Sequence, residues 1–550
     1  MLKSRKRSDL SIRDFLFNRL KAGKPWLRKH QDLLPSFALI AVLLLIGLVI
    51  VRDYGPSWDE LSVQGYAQQS FAAYSNFLRT GSLPDFGDGV LNYYGPAYMM
   101  VCELIARTLN SIGIGWIVSQ WHIAIFLSFL LSVLSIYFLA RRWLKWWSAF
   151  GVTLLFATQP LLWGHAFINP KDIPFMAFFL TTVTVGFEMV DRSVLAIDPS
   201  PISVFKGILR SFSRPPVLLA AFFLGFTTSI RVFGPFAGLI VVLYGMIRSW
   251  KGMLKVLPAY FTIALAVSIL TWPYLWENPL LNFIQSVRIM SDFPWNGLVL
   301  FRGAVLHPAE LPRYFYPLLM SLQLTEPLVI LSIAGFLLSI YIMIAAKKFE
   351  PFSLIVVWFL VPLFAVIYLS HTWYNNFRQL LFLLPPVFLS AGLVLDQAFK
   401  YIKPTLVRIL ILAVLIAPGI YSSVKLHPYE YVYFNSFTGG VNGASRNYEL
   451  DYWATSYRQA AFYLNQVAPP GAKIIVVGAE HIFGGFARPD LQVVSETEID
   501  GDVGYDYAVI STADNDDKFT CMSGEVIYAI KVDNIPLTVI KSLNQPGQCP

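Results

Sequence analysis

The chain is 550 residues long, 56% hydrophobic and only 14% charged, whereas soluble domains carry about 25% charged residues. A soluble enzyme is thereby excluded. The net charge of +8 is uneven: residues 425–550 hold 8 Lys+Arg against 15 Asp+Glu, so the basic excess lies in short loops between apolar runs, which argues for membrane topology and against a nucleic-acid partner.

In chain order, a basic N-terminal arm (residues 1–32, with Lys3, Arg5, Lys6 and Arg7) precedes an uncharged run at 33–51. That run is too long for a signal-peptide core and is expected to stay as a first span. Further apolar runs follow at 123–140, 146–163, 173–190, 215–230, 232–247, 256–276, 327–346, 352–369, 380–395 and 405–421. About 20 helical residues cross the hydrocarbon core, so the expectation is an all-α polytopic domain (33–424) with about eleven transmembrane helices. If these alternate, Arg141/Arg142/Lys145, Arg192/Lys206/Arg210/Arg214, Arg248/Lys251/Lys255, Lys347/Lys348 and Lys400/Lys403/Arg408 all share the side of the N-terminal arm. The positive-inside rule makes that side cytoplasmic. Residues 95–112 carry Glu103 and Arg107, which are costly at mid-membrane, so this stretch reads as an interfacial or re-entrant helix on the outer face. Outer loops are expected at 52–120 and 277–326. The acidic residues 425–550 then form a small extracytoplasmic α/β domain, with a helix at 457–467 and strands at 473–478, 505–510, 525–532 and 535–543. Cys521 and Cys549 are expected to pair in that oxidising compartment.

Polar residues gather at the outer mouths of the spans. Ser57-Trp-Asp59-Glu60 follows the first span. Ser57 and Glu60 have capping-box spacing, which assigns Glu60 to the helix start and puts Asp59 in the first turn, free for chemistry. His165-Ala-Phe-Ile-Asn169-Pro-Lys171-Asp172-Ile-Pro174 lies between the third and fourth runs. A snorkelling Lys–Asp pair accounts for Lys171 and Asp172 but leaves His165 and Asn169 unexplained. Arg231 separates two apolar runs, so it sits at an outer turn where it needs an anion; either a ligand or an internal carboxylate such as Asp172 or Glu277 supplies it. His371-Thr-Trp-Tyr-Asn-Asn-Phe-Arg378 lies between the ninth and tenth runs, and an interfacial aromatic belt explains its rings but not Arg378. Nucleotide-binding and hydrolase motifs in suitable contexts are absent from the sequence.

At these residues the chain resembles the GT-C superfamily of membrane glycosyltransferases. It looks closest to bacterial relatives of the dolichyl-phosphate-mannose protein mannosyltransferases and to aminoarabinose transferases. The matching elements are Asp59-Glu60, His165 through Pro174, Arg231-x-x-Gly234, Asn376-Phe377-Arg378 before Pro385-Pro386, and Tyr448-Glu449-Leu450-Asp451-Tyr452-Trp453. The likeness covers roughly residues 35–464. It implies an inverting transferase that takes a sugar from a polyprenyl-phosphate donor to a protein, glycan or lipid acceptor. By the same resemblance Asp59 is the general base, and Asp172 matches a second acidic residue that orients the donor or holds a divalent metal ion. Glu60, His165 and Asn169 are supporting residues, and Lys171, Arg231 and Arg378 are candidates for the donor phosphate. The competing reading is a lipid or sugar transporter or flippase. Against it, the charges cluster at one face and no inverted repeat is visible.

Overall fold

The computed structural model describes residues 33–87, 89–114, 117–195, 204–346, 352–369, 372–498, 504–519, 522 and 524–543. The basic arm, Lys347, Lys348, His371 and the cysteines Cys521 and Cys549 lie outside the described residues, as does their expected pairing.

The protein is a helical membrane protein with a small mixed sheet near its C-terminus. Six helices among the described residues are long and apolar enough to cross a membrane, or up to eight if each of two bent pairs is one span. The count of about eleven is therefore not confirmed. The difference arises at short and broken elements. Leu34–Ile50 and Leu354–Leu369 are apolar but short, Trp146–Ala157 and Pro160–Ile168 meet at 58°, and Phe205–Ser211 and Pro215–Thr228 meet at 66°. Prolines open many of these helices, where their missing N–H costs nothing, as at Pro160, Pro215 and Pro235.

The helix Pro235–Thr271 doubles back. Thirty-seven residues of straight helix would be about 55 Å long. Yet the Ser229 hydroxyl, just before this helix, donates to the Ser268 carbonyl near its end at 3.0 Å. The reversal occurs at Ser249, whose backbone is non-helical. Its two legs correspond to the runs at 232–247 and 256–276.

The helices have two chemically distinct ends. At one, Arg142 pairs with Glu188 at 3.0 Å and with Asp191, Arg214 donates to the Ser193 carbonyl, Asp396 accepts the Lys145 N–H and Arg408 bonds to the Phe399 and Ile402 carbonyls. At the other lie residues 52–60, 165–172, 229–234 and 374–378, with the C-terminal sheet beside them. Arg458 donates to the Tyr54 carbonyl at 2.7 Å, and Trp58 N–H to Trp453 O at 3.1 Å.

The helix Ala97–Ser111 matches the stretch read as interfacial, and its Arg107 and Glu103 pair with each other at 2.8 Å. A short hairpin, β1 (Val299–Phe301) and β2 (Ala304–Leu306), lies within residues 277–326, the second loop read from the sequence as outer. Near the C-terminus the helix Tyr457–Val467 precedes β3 (Lys473–Val476), β4 (Gln492–Ser495), β5 (Tyr507–Ser511), β6 (Glu525–Val532) and β7 (Ile535–Ser542). Their order in the sheet is β4-β3-β5-β7-β6. Strands β3, β4 and β5 run parallel, and β7 is antiparallel to β5 and β6.

Candidate active site

Asn169 builds the centre of the site. Pro170 follows it and disfavours helix at Asn169, so the chain breaks between Pro160–Ile168 and Asp172–Met189. The Asn169 Oδ1 accepts the N–H of Lys171 at 3.2 Å and of Asp172 at 2.8 Å. Two otherwise orphan donors at the start of the next helix are thereby satisfied. Its Nδ2 donates to Asp172 Oδ2 at 2.9 Å and meets His165 Nδ1 at 3.2 Å. His165 Nδ1 is therefore the acceptor, which leaves its Nε2–H for the Tyr452 hydroxyl at 3.0 Å. Gly164 allows this junction, because a Cβ there would lie 2.3 Å from the Tyr431 backbone nitrogen.

Asp172 is buried and paired on both oxygens: Oδ1 with Arg231, and Oδ2 with Arg378 at 3.1 Å. Arg231 thus takes the internal carboxylate named from the sequence. Lys171 turns to Asp59, with its Nζ 2.6 Å from Oδ2. Aromatic faces hold the cations. Lys171 and Arg231 lie over Tyr94, at 4.9 and 5.6 Å, and Arg378 lies over Trp453 at 4.4 Å. The Nε atoms of Arg231 and Arg378 are buried without a partner. Burial alone would raise the Asp59 carboxyl, but the Lys171 and Arg378 charges hold it below the usual range.

Asp59 and Asp172 therefore lie in one cluster with Lys171, Arg231 and Arg378. Three cations face two carboxylates, so the cluster keeps an excess positive charge. Glu60 does not face it. Its carboxylate accepts the Ser57 N–H at 3.3 Å and Gln64 Nε2 at 3.2 Å, and meets His122 Nε2 at 3.1 Å. The capping-box expectation is corrected. The helix begins at Glu60 with Asp59 at its N-cap position, and Ser57 Oγ is buried without a partner. Glu60 accepts the Ser57 N–H, which lies ahead of the helix, so neither side chain caps a helical donor.

The residues do not form a metal site. Both oxygens of Asp172 are taken by guanidinium groups and Asn169, Asp59 faces an ammonium, and no group of three His, Cys, Asp or Glu suited to a metal occurs among the described residues.

A cavity of about 360 Å³ adjoins the cluster. Arg231, Tyr94 and Tyr374 line its polar part, and Phe236, Phe293 and Val366 are among its apolar walls. Sequence reasoning missed Tyr94 and gave no role to Tyr452 or Trp453, although the 448–453 motif contained the latter two. Tyr374 had been explained by an aromatic belt.

No known family model matches the chain, and no curated protein does. Solved structures similar in fold include ArnT, an aminoarabinose transferase, from Cupriavidus metallidurans in the apo state, with TM-score 0.48 and 15% identity over 95% of this chain and 98% of that one. The same protein bound to undecaprenyl phosphate gives TM-score 0.48 and 15% identity, over 94% and 99% of the two chains. The Archaeoglobus fulgidus oligosaccharyltransferase in its apo form gives TM-score 0.45 and 11% identity over 86% of this chain and 69% of that one.

Proposed function

We propose that the protein is a glycosyltransferase of the inner membrane that moves a sugar from a polyprenyl-phosphate donor to an acceptor hydroxyl at the outer face, with inversion. The observation that carries this reading is the excess-positive cluster of Lys171, Arg231 and Arg378, of which Arg231 lines a cavity with apolar walls. A single lipid phosphate matches both halves: the chain fills apolar space and the phosphate meets cations.

The chemistry follows from the pairs. Lys171 holds Asp59 in the resting site. An arriving phosphate competes for that ammonium, and as Lys171 turns to it, Asp59 loses its counter-ion and becomes a stronger base. Asp59 then takes the proton of the acceptor hydroxyl. The acceptor oxygen bonds to the anomeric carbon on the face opposite the phosphate. The bond from that carbon to the phosphate oxygen breaks, and the electron pair leaves on the polyprenyl phosphate. Arg231, Arg378 and Lys171 stabilise the charge that grows there. Asp172 orients the two guanidiniums rather than holding a metal, so the cations supply the charge that a divalent ion would bring. Protein, glycan and lipid acceptors all remain compatible with this step.

The test is transfer of radiolabelled sugar from defined polyprenyl-phosphate donors by the full chain in nanodiscs, with chelator present. Asp59→Asn keeps size and polarity but is a much weaker base. It should retain donor binding while turnover falls roughly 10²–10⁴-fold. Glu60→Gln should be milder, since Gln still accepts the Ser57 N–H. Near-wild-type transfer by Asp59→Asn would remove Asp59 from the mechanism. Donor lipid crossing the bilayer with its sugar intact, and no transfer, would favour the transporter instead.

A further inference from the structure

The loop that carries Asp59 has little structure of its own. Residues 51–59 join the helix Leu34–Ile50 to the helix Glu60–Thr80 through turns and irregular chain. What holds this loop comes from distant parts of the sequence. Arg458 donates to the Arg52 carbonyl at 2.9 Å as well as to that of Tyr54. The Tyr54 ring stacks at 4.2 Å on Phe167, which belongs to the same helix as His165. The Tyr54 hydroxyl donates to Glu430 Oε1 at 2.9 Å.

His427, the residue after the helix Thr405–Leu426, closes this arrangement. Its Nδ1 meets Glu430 Oε1 at 2.8 Å, its Nε2 meets Asp53 Oδ2 at 3.0 Å, and its ring stands edge-on to Tyr54 at 5.3 Å. A neutral imidazole has one N–H, so its other nitrogen would turn a lone pair towards a carboxylate oxygen. Only the imidazolium donates to both, in two charge-assisted bonds. One of these carboxylates, Glu430, is buried, and the other, Asp53, is half exposed.

We propose that His427, as an imidazolium bridging Asp53 and Glu430, is a positioning residue that fixes the loop carrying Asp59, so that sugar transfer depends on a charge outside the phosphate cluster. The part played by Asp59 rests on the function proposed above; the bridge itself does not.

The titratable groups that face the ring are Asp53, Glu430 and Tyr54. Arg52, Tyr429 and Arg458 line, with His427, a cavity of about 350 Å³ that gives water access to the imidazole. Lys425, two residues earlier, turns to Asp533 at 2.8 Å. Burial alone would lower the His427 pKa, but the hydrogen bonds and charges of Glu430, and then of Asp53, raise it above the ordinary value. The folded chain therefore holds this proton more tightly than the unfolded chain does. The contribution of the bridge to stability is complete below the ordinary histidine pKa and is lost as pH rises through the raised one.

The experiment uses the full chain in nanodiscs, as wild type, His427→Gln, His427→Lys and Asp53→Asn. Melting temperature, binding of undecaprenyl phosphate, and kcat and KM for transfer of radiolabelled sugar are followed from pH 5.5 to 9. Wild type should lose melting temperature and kcat together as pH rises through the histidine transition. His427→Gln cannot donate to both carboxylates, so its kcat should be down about tenfold or more even in acid. Its affinity for the lipid phosphate should stay within twofold of wild type, and neither profile should show the histidine transition. His427→Lys keeps a cation with several donors, so it should restore kcat and hold it at high pH. Asp53→Asn removes one of the two charges that retain the proton and should move both transitions to lower pH. His427→Gln with wild-type kcat and profiles overturns the proposal. So does a loss of lipid-phosphate affinity as large as the loss of kcat, which marks general loosening. If His427→Gln does not fold, Asp53→Asn decides, and unshifted profiles overturn the bridge. If no form transfers sugar, the proposed function fails, and the melting profiles still decide the bridge.

Discussion

At the scale of single residues, the site is organised by competition for carboxylates. Lys171 is the clearest case, because it is both the resting partner of Asp59 and a candidate ligand for the donor. Its charge and that of Arg378 outweigh burial and hold Asp59 ionised. A carboxyl lowered in this way is available as a base throughout the neutral range and fails only in acid. The acid limb of kcat/KM for wild type should therefore lie below the ordinary carboxylate range. Lys171→Gln removes the largest counter-charge and leaves the burial, so the limb should move upward. A pH–rate profile that keeps its acid limb in place in Lys171→Gln would separate Asp59 from catalysis. The residues that made this site visible in the sequence were the ones unexplained by a simple loop: His165, Asn169, Arg231 and Arg378. Their pairing was not visible. Asp172 could have faced a metal, and only the approach of two guanidiniums from chain positions 59 and 206 residues away gives both its oxygens other partners. The Ser57–Glu60 spacing suggested a cap that the helix does not use, and the contact of Glu60 with His122, 62 residues on, was not legible.

At the scale of elements, the apolar runs were legible because a membrane span must be long and uncharged. Each run is at least largely helical. The breaks within them were harder to read, since a bend needs tertiary partners that local sequence does not name. The 58° bend between Trp146–Ala157 and Pro160–Ile168 aims His165, Asn169 and Asp172 at the site. Gln159 sits at the bend, fully buried, and repairs the surrounding backbone. Its Nε2 donates to the Gln323 carbonyl at 3.1 Å, and its Oε1 accepts the Thr325 N–H and hydroxyl at 3.3 Å. Gln159→Leu keeps similar size but leaves a buried carbonyl and N–H without partners. It should cost about 2 kcal/mol or more in stability, and lower donor affinity by loosening the helix that carries His165. Thermal unfolding in detergent and lipid-phosphate binding check the two effects. In the C-terminal region, β6, β7 and the helix Tyr457–Val467 lie within a residue of where Val-, Ile- and Tyr-rich runs and the helical stretch were read from the sequence. The short β4 and the β1–β2 hairpin escaped because three or four residues carry too little pattern.

At the scale of the whole molecule, the two ends of the helices fix how sidedness can be tested. The helix Asp172–Met189 begins at the phosphate cluster, and Glu188 near its far end meets Arg142 among the basic loops. The helix Ile117–Arg141 carries His122 beside Glu60 at one end and Arg141 at the other. The cluster and the described basic loops therefore lie at opposite ends of the same elements. The C-terminal sheet lies with the cluster, tied to it through Trp453, Arg458 and Glu449. A reporter fused after Lys145 and one fused after Pro550 should accordingly read opposite compartments. By the positive-inside rule, the excess of Lys and Arg in the loops predicts a cytoplasmic reading for the first and an outside reading for the second. Two reporters on the same side would break the arrangement of the helices. A reversed pair would keep that arrangement but turn the site to the cytoplasmic leaflet. The donor would then have to be sought there, and every span, the first included, would have to be inverted, because the Asp59–Lys171 and Glu60–His122 pairs hold residues before and after Ala97–Ser111 at the same end.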